Sequence, residues 1–201
     1  MPHRSSIEWR GEGDDPVSND RITETLSRFN RGLVMVLTGN GKGKTTSAMG
    51  QALRAVGHGQ KVLVIQFMKG KKYGEVLAAE GHLPGITIVQ SGLDSFVMRD
   101  NPAPVDVELA RQGLEMAREA LAAGTHDMVI LDEINVAVDF KLIPLSDLMD
   151  LIRNKPPAVD LILTGRYAPP EVVELADTVS EIQEIRHHYS KGMKERAGIE
   201  Y

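Results

Sequence analysis

From Gly32 onward, short apolar runs alternate with longer amphipathic segments. The runs are Leu33–Leu37 (LVMVL), Val62–Phe67 (VLVIQF), Ile86–Val89 (ITIV), Met128–Leu131 (MVIL) and Val159–Leu163 (VDLIL), with 179–185 as a sixth candidate. They are nearly continuous in apolar character rather than alternating, the signature of strands buried on both faces of a parallel sheet. Between them, helical spacing predicts helices over 44–56, 73–81, 105–123, 145–153 and 169–176. Pro144 and Pro169 stand where a helix start tolerates proline. Strands alternating with helices predict one three-layer α/β domain over 32–201, with a mostly parallel sheet and helices on both faces. Residues 1–31 read differently. The first 16 are polar and rich in Gly and Asp, a tail, and Ile22, Leu26 and Phe29 then give 18–29 the spacing of a short helix.

Composition narrows the function classes. The chain has 201 residues, enough for one domain with a substantial core. Its net charge of -5 argues against a broad nucleic-acid surface. It has no cysteine, which excludes disulfides, thiolate metal sites and a Cys nucleophile. MPHRSSIEWRGEGDD carries no apolar leader core, and no apolar stretch approaches the ~18 residues of a membrane span, so a cytoplasmic protein off the membrane is expected.

Candidate chemistry concentrates at TGNGKGKTT, residues 38–46, directly after the first apolar run. Strand, Gly-rich loop and helix in that order form a P-loop NTPase-like phosphate site. Gly39, Gly41 and Gly43 let phosphate oxygens approach backbone N–H groups, and the helix start adds its positive dipole end. Lys44 supplies a cation between phosphates, and Thr45 offers a hydroxyl to Mg²⁺. Thr38 departs from the usual G-x-x-x-x-G-K-[ST], at the base of the loop. A second element, Met128-Val129-Ile130-Leu131-Asp132-Glu133, ends a strand on two carboxylates, where P-loop proteins keep the acid on the Mg²⁺ side. Arg166, in Thr164-Gly165-Arg166, follows another strand and is placed to face the site. Only Glu133 suggests itself as a base that activates water. From the residues alone, three readings stay open: a γ-phosphate kinase or ATPase, a nucleotide-binding switch without turnover, and a transferase that uses the nucleotide as substrate.

The motifs together are more specific. TGNGKGKTT is followed by Arg54-Ala55-Val56-Gly57-His58-Gly59 and by Gln66-Phe67-Met68-Lys69-Gly70. Leu131-Asp132-Glu133-Ile134, Thr164-Gly165-Arg166, Ala176-Asp177-Thr178-Val179-Ser180-Glu181 and Gly198-Ile199-Glu200-Tyr201 come after them. The combination closely resembles the P-loop-type ATP:co(I)rrinoid adenosyltransferases of cobalamin biosynthesis and salvage, from about Gly32 to Tyr201. The resemblance implies transfer of the 5′-deoxyadenosyl group of ATP to the Co(I) of a reduced corrinoid, with the whole triphosphate as leaving group. No general base is then required, since the nucleophile carries no proton.

Carried over residue by residue, the resemblance puts Asn40, Gly41, Lys42, Gly43, Lys44, Thr45 and Thr46 on the triphosphate beside Gly39. Thr45 and Glu133 become Mg²⁺ ligands, with Asp132 in the same cluster and Arg166 at the nucleotide. Arg54 has two readings, a nucleotide contact or a solvated helix arginine. His58 reads as a helix C-terminal residue, and His187 and His188 read either as nucleotide contacts or as paired surface histidines. Family members often carry aromatic residues after the third strand, pressing on the lower corrin face. Here that loop is Ser91-Gly92-Leu93-Asp94-Ser95-Phe96-Val97-Met98, so Leu93 and Phe96 are the candidates for the corrin contact. The resemblance further implies a homodimer, an external electron donor for reducing Co(II) to Co(I), and an N-terminal segment able to cover the partner's site.

Overall fold

The computed structural model describes residues 31–201; the expected helix over 18–29 lies outside them. The strands are β1 (Val34–Thr38), β2 (Val62–Phe67), β3 (Ile86–Ser91), β4 (Met128–Asp132), β5 (Asp160–Thr164) and β6 (Thr178–Glu181). Between them run α1 (Lys44–Gly57), α2 (Gly74–His82), α3 (Pro104–Ala123), α4 (Ile134–Asp139), α5 (Leu145–Arg153) and α6 (Pro170–Leu175), and a 3₁₀ turn covers His188–Lys191. All neighbours in the six-stranded sheet pair in parallel, in the order β3-β2-β4-β5-β1-β6. The sequence expectation of a three-layer α/β fold holds. Two details differ. α4 falls outside the expected helices: unlike the equally short α6, which Pro169 introduces, it has no start signal in the sequence. β6 is shorter than its apolar run because the chain leaves the sheet edge after Glu181. Among the described residues no helix is long and apolar enough to cross a membrane.

Alternation along each strand builds a core on both faces. Val36, Leu63, Ile65, Phe67, Val129, Leu131, Leu161 and Leu163 pack on one face with Ala110, Leu114 and Ala117 of α3 and with Leu148 and Val172. Val62, Val64, Met128, Ile130 and Ile162 pack on the other face, against Ala48, Ala52 and Ala55 of α1 and Ala79 of α2. Alanines on α1 let that helix lie close to the sheet, which fixes where its N-terminus points.

The second face changes character at the C-terminal edge. Two residues beyond Val64, Ile130 and Ile162 come Gln66, Asp132 and Thr164, all buried. Register places Gln90 opposite Gln66 and Gln66 opposite Asp132. The apolar face therefore ends in a polar row, tied across the sheet by Gln90 Nε2 donating to Gln66 Oε1 at 3.1 Å and Gln66 Nε2 to Asp132 Oδ2 at 3.3 Å. Asp132 is 1% exposed. Its Oδ1 accepts from the Thr164 hydroxyl at 2.7 Å and the Thr45 hydroxyl at 2.8 Å, and its Oδ2 accepts from Lys69 Nζ at 2.8 Å. A carboxylate this deep needs both a counter-charge and filled lone pairs. Burial works against the Lys69 ammonium, but the charge and hydrogen bond of Asp132, with Glu133 and Glu75 behind it, outweigh that and raise its pKa.

Two tests follow from the packing. Lys69→Met leaves Asp132 buried without a counter-charge and should cost on the order of 3 kcal/mol in urea unfolding, whereas Lys72→Met, from an exposed pair with Glu80, should stay within ~0.5 kcal/mol. On α3, a Cβ at Gly113 would meet Ser91 Cβ at 2.8 Å and Phe67 Cε1 at 2.9 Å, while Gly50 on α1 has open space. Gly113→Ala should therefore destabilise by ~1–3 kcal/mol, and Gly50→Ala should stabilise by ~0.5–1 kcal/mol, in the same measurement.

Candidate nucleotide and active site

The loop after β1 takes a shape that its glycines permit. Gly39 has φ 94° and Gly43 φ 121°, conformations that a side chain would strain. Gly41 donates its N–H to the Ile182 carbonyl at 2.7 Å, and a Cβ there would lie 2.7 Å from the Gln183 carbonyl. The segment beyond β6 thus supports the loop from behind. Lys44 folds back over it, donating to the carbonyls of Gly39 at 2.8 Å and Gly41 at 2.7 Å. No side chain caps α1 and no acidic residue stands in its first turn, so its N–H groups and dipole remain for an anion. Burial pushes the Lys44 ammonium below its usual range; Glu133 and Asp132 oppose the shift and Arg166 adds to it.

Three strands turn sharply as they leave the sheet here. Met68 after β2, Glu133 after β4 and Tyr167 after β5 have φ of 59°, 64° and 62°, left-handed backbone that non-glycine residues rarely adopt. Gly165 has φ 126°, and a Cβ there would lie 3.1 Å from Val136 N and 3.2 Å from Asn135 Cβ, so glycine lets the chain leave β5 close to the start of α4. These turns place Lys69, Glu133 and Arg166 around the phosphate loop. The Glu133 N–H is held by the Thr164 hydroxyl at 2.9 Å, which couples its orientation to the Asp132 cluster. Burial raises the Glu133 pKa; Asp132 adds to the effect, and Lys69, Lys44 and Arg166 oppose it.

The result is one cavity of about 690 Å³, lined by loop residues 40–46 and by Glu133 and Arg166. That volume suits a cofactor-sized ligand. The structure therefore brings together Asn40, Gly41, Lys42, Gly43, Lys44, Thr45, Thr46, Glu133 and Arg166. Gly39 contributes through its carbonyl, and Asp132 stands behind Thr45. Arg54 is elsewhere: it is exposed on the last turn of α1, donates to Gln51 Oε1 at 3.3 Å and does not line the cavity. His58 forms the C-cap of α1. His187 lines the cavity and stacks on His188, ring centroids 4.6 Å apart. Leu93 and Phe96 follow β3 at the same end of the sheet, exposed and outside the cavity lining.

Sequence reasoning passed over several lining residues: Lys69, Glu75, Arg99, Phe140 and Tyr167. Lys69 had a readable signal, a lysine ending Gln66-Phe67-Met68-Lys69 just after a polar break in an apolar run. Arg99 had none. It pairs with Asp139 at 2.8 Å and lies over the Tyr167 ring at 5.3 Å, contacts 40 and 68 positions away in the chain.

Comparison with known proteins gives this geometry a family. The model of the family described as ATP:corrinoid adenosyltransferase BtuR/CobO/CobP matches residues 30–201. A corrinoid adenosyltransferase of Escherichia coli strain K12 is 39% identical over 172 residues, covering 85% of this chain and 86% of its own. Corrinoid adenosyltransferase CobA of Salmonella typhimurium is 37% identical over 185 residues, covering 90% and 93%. A corrinoid adenosyltransferase of Pseudomonas aeruginosa is 32% identical over 192 residues, covering 96% and 94%. A glycine-rich loop at the end of β1, the Thr45–Asp132 contact and a match across the whole described domain agree, and the chain belongs to the ATP:corrinoid adenosyltransferase family, a family of transferase enzymes.

Proposed function

We propose that the chain transfers the 5′-deoxyadenosyl group of ATP to the Co(I) centre of a reduced corrinoid. The cobalt lone pair attacks the ribose C5′, the Co–C bond forms, and the C5′–O bond breaks with its electron pair on the triphosphate. Cobalt becomes formally Co(III) and no proton moves. The protein's task is to hold C5′ in line with the cobalt and to stabilise charge on the leaving triphosphate.

The observation that best supports this reading is the state of Asp132. Each of its oxygens accepts two hydrogen bonds, from Thr45 and Thr164 on one and from Lys69 and Gln66 on the other. A carboxylate so occupied organises the loop and its cations rather than taking a proton from water. Around the cavity Lys44 and Arg166 supply positive charge, the requirement of a polyanionic leaving group, and Lys42, Lys69 and Arg99 line it while paired with Glu200, Asp132 and Asp139.

Mg²⁺ fits the same corner. Thr45 Oγ1 and the Glu133 carboxylate are hard oxygen donors, and no group of three or more His, Cys, Asp or Glu among the described residues could hold a metal alone. That suits an ion held by one carboxylate, a hydroxyl and substrate phosphates. Bound there, it would supply neutralisation of phosphate charge, while Glu133, its pKa raised by burial, gains from a cation beside it.

For the corrinoid, Leu93 and Phe96 remain the proposed contacts. Phe96 is fully exposed, unusual for a phenyl ring, and Leu93 is 41% exposed. Their loop is bound to the segment after β2 that carries Lys69 by close backbone packing, since a Cβ on Gly92 would lie 2.7 Å from Met68 Cα and one on Gly70 2.6 Å from the Leu93 carbonyl carbon. The two substrates would thus be held by loops that cannot move independently. An external electron donor and a homodimer complete the proposal. A γ-phosphate kinase or ATPase is the second reading, and Glu133, facing the cavity with a raised pKa, is the observation in its favour.

Mg-ATP and a chemically reduced corrinoid decide between them. Triphosphate released in step with loss of Co(I) absorbance is expected; ADP with single phosphate would overturn the transferase reading. Lys44→Ala should lower turnover at least ~100-fold, and near-normal activity in that variant would remove the triphosphate from this loop.

A further inference from the structure

Gly198-Ile199-Glu200-Tyr201 has no part in the reaction proposed above, yet these four residues line the nucleotide cavity. They form a strap from the phosphate loop to the β2–α2 connection. At one end, Glu200 Oε1 lies 3.7 Å from Lys42 Nζ and 3.2 Å from His188 Nε2, while Oε2 accepts the Arg196 N–H at 2.8 Å. At the other, the Tyr201 ring lies under the Lys71 ammonium, 4.6 Å from its centroid, and its backbone passes Gly74. The turn between closes on itself, Gly198 N–H donating to the Tyr201 carbonyl at 2.6 Å.

The position of the carboxylate is the point of interest. Lys42 is a phosphate-loop lysine, and Glu200, its side chain 13% exposed, is an anion placed on it. Burial works against the Glu200 charge, but the Arg196 N–H bond and the cations His188, Lys42 and Arg196 hold its pKa below the usual carboxylate value. A triphosphate bound in the loop would draw on the same ammonium. Two anions sharing one cation in a half-enclosed site repel each other more strongly than they would in water.

We propose that Glu200 and the triphosphate compete for Lys42, so that the C-terminal strap is an internal anion displaced by nucleotide and returning as triphosphate leaves. The inference rests on the triphosphate reading of the loop. It gives the strap a use in turnover, because a leaving group that carries the full charge of the bound phosphates is the product such a basic site releases slowly. A carboxylate tethered beside the loop has a high effective concentration and retakes Lys42 as the product departs.

The test uses the full chain with Mg-ATP and with inorganic triphosphate as probes, binding measured by calorimetry. Glu200→Gln keeps the shape and removes the charge, and it should bind both probes about fivefold or more tightly. In a Lys42→Gln background the same substitution should have no effect, which isolates the pair. Amide exchange over 196–201 should quicken when triphosphate is added to the unaltered protein. Unchanged or weaker binding by Glu200→Gln, or slower exchange on adding triphosphate, overturns the proposal; the latter outcomes would make the strap a lid that closes on nucleotide. If Lys44→Ala binds ATP as well as the unaltered chain, the triphosphate site itself is misplaced. Loss of binding in Lys44→Ala with no change in Glu200→Gln overturns only the competition.

Discussion

A single buried carboxylate organises the functional end of this protein. Asp132 ends β4, shielded from water, and takes hydrogen bonds from β2 through Gln66, from β5 through Thr164, from the loop after β2 through Lys69 and from the first turn of α1 through Thr45. A buried charge of this kind is tolerable only when every lone pair is met and a counter-ion is close. Those conditions define the geometry: the glycine-rich loop, the segment after β2 that carries Lys69 and the turn that carries Glu133 all meet at one residue. Displacing any of them leaves an unmet polar group in the sheet, so the site is stiff before any substrate enters.

The charges exposed to the cavity follow from that arrangement. The Asp132 charge is matched by Lys69, leaving Lys42, Lys44 and Arg166 to face the cavity near the loop. Glu133 is pushed the other way, toward its protonated form, by burial and by Asp132 next to it. Left-handed backbone at Met68, Glu133 and Tyr167 is the cost of directing three loops to one point. Such strain persists only where surrounding structure enforces it, and here the packed strand ends do so.

Membership of the adenosyltransferase family is consistent with a site whose cations and loops are organised around one buried carboxylate. The family resemblance was legible in Thr38–Thr46, in Gln66–Gly70 and in Thr164–Arg166, because those functions depend on backbone shape and residue type over a few neighbouring positions. It was less informative at Arg54, whose side chain lies a full helix away from the loop, and at Leu93 and Phe96, which stand exposed after β3.

The layer order, five of the six helices among the described residues and the glycine-rich loop after β1 were readable from the sequence. Apolar runs bounded by Gly and Pro declare parallel strands, and a loop whose shape depends on its own glycines is encoded within nine consecutive residues. Gln66 stands within its apolar run without being singled out, and its pairing was not visible. Only the tertiary structure decided that Gln66, Asp132 and Thr164 form one row, because strand order and register are settled by packing across the sheet. The same holds for Arg99 on Asp139 and Tyr167, and for Glu200 on Lys42, contacts between residues 40 to 158 positions apart. No local pattern records such pairs; they exist because a closed core leaves those side chains at the same end of the sheet.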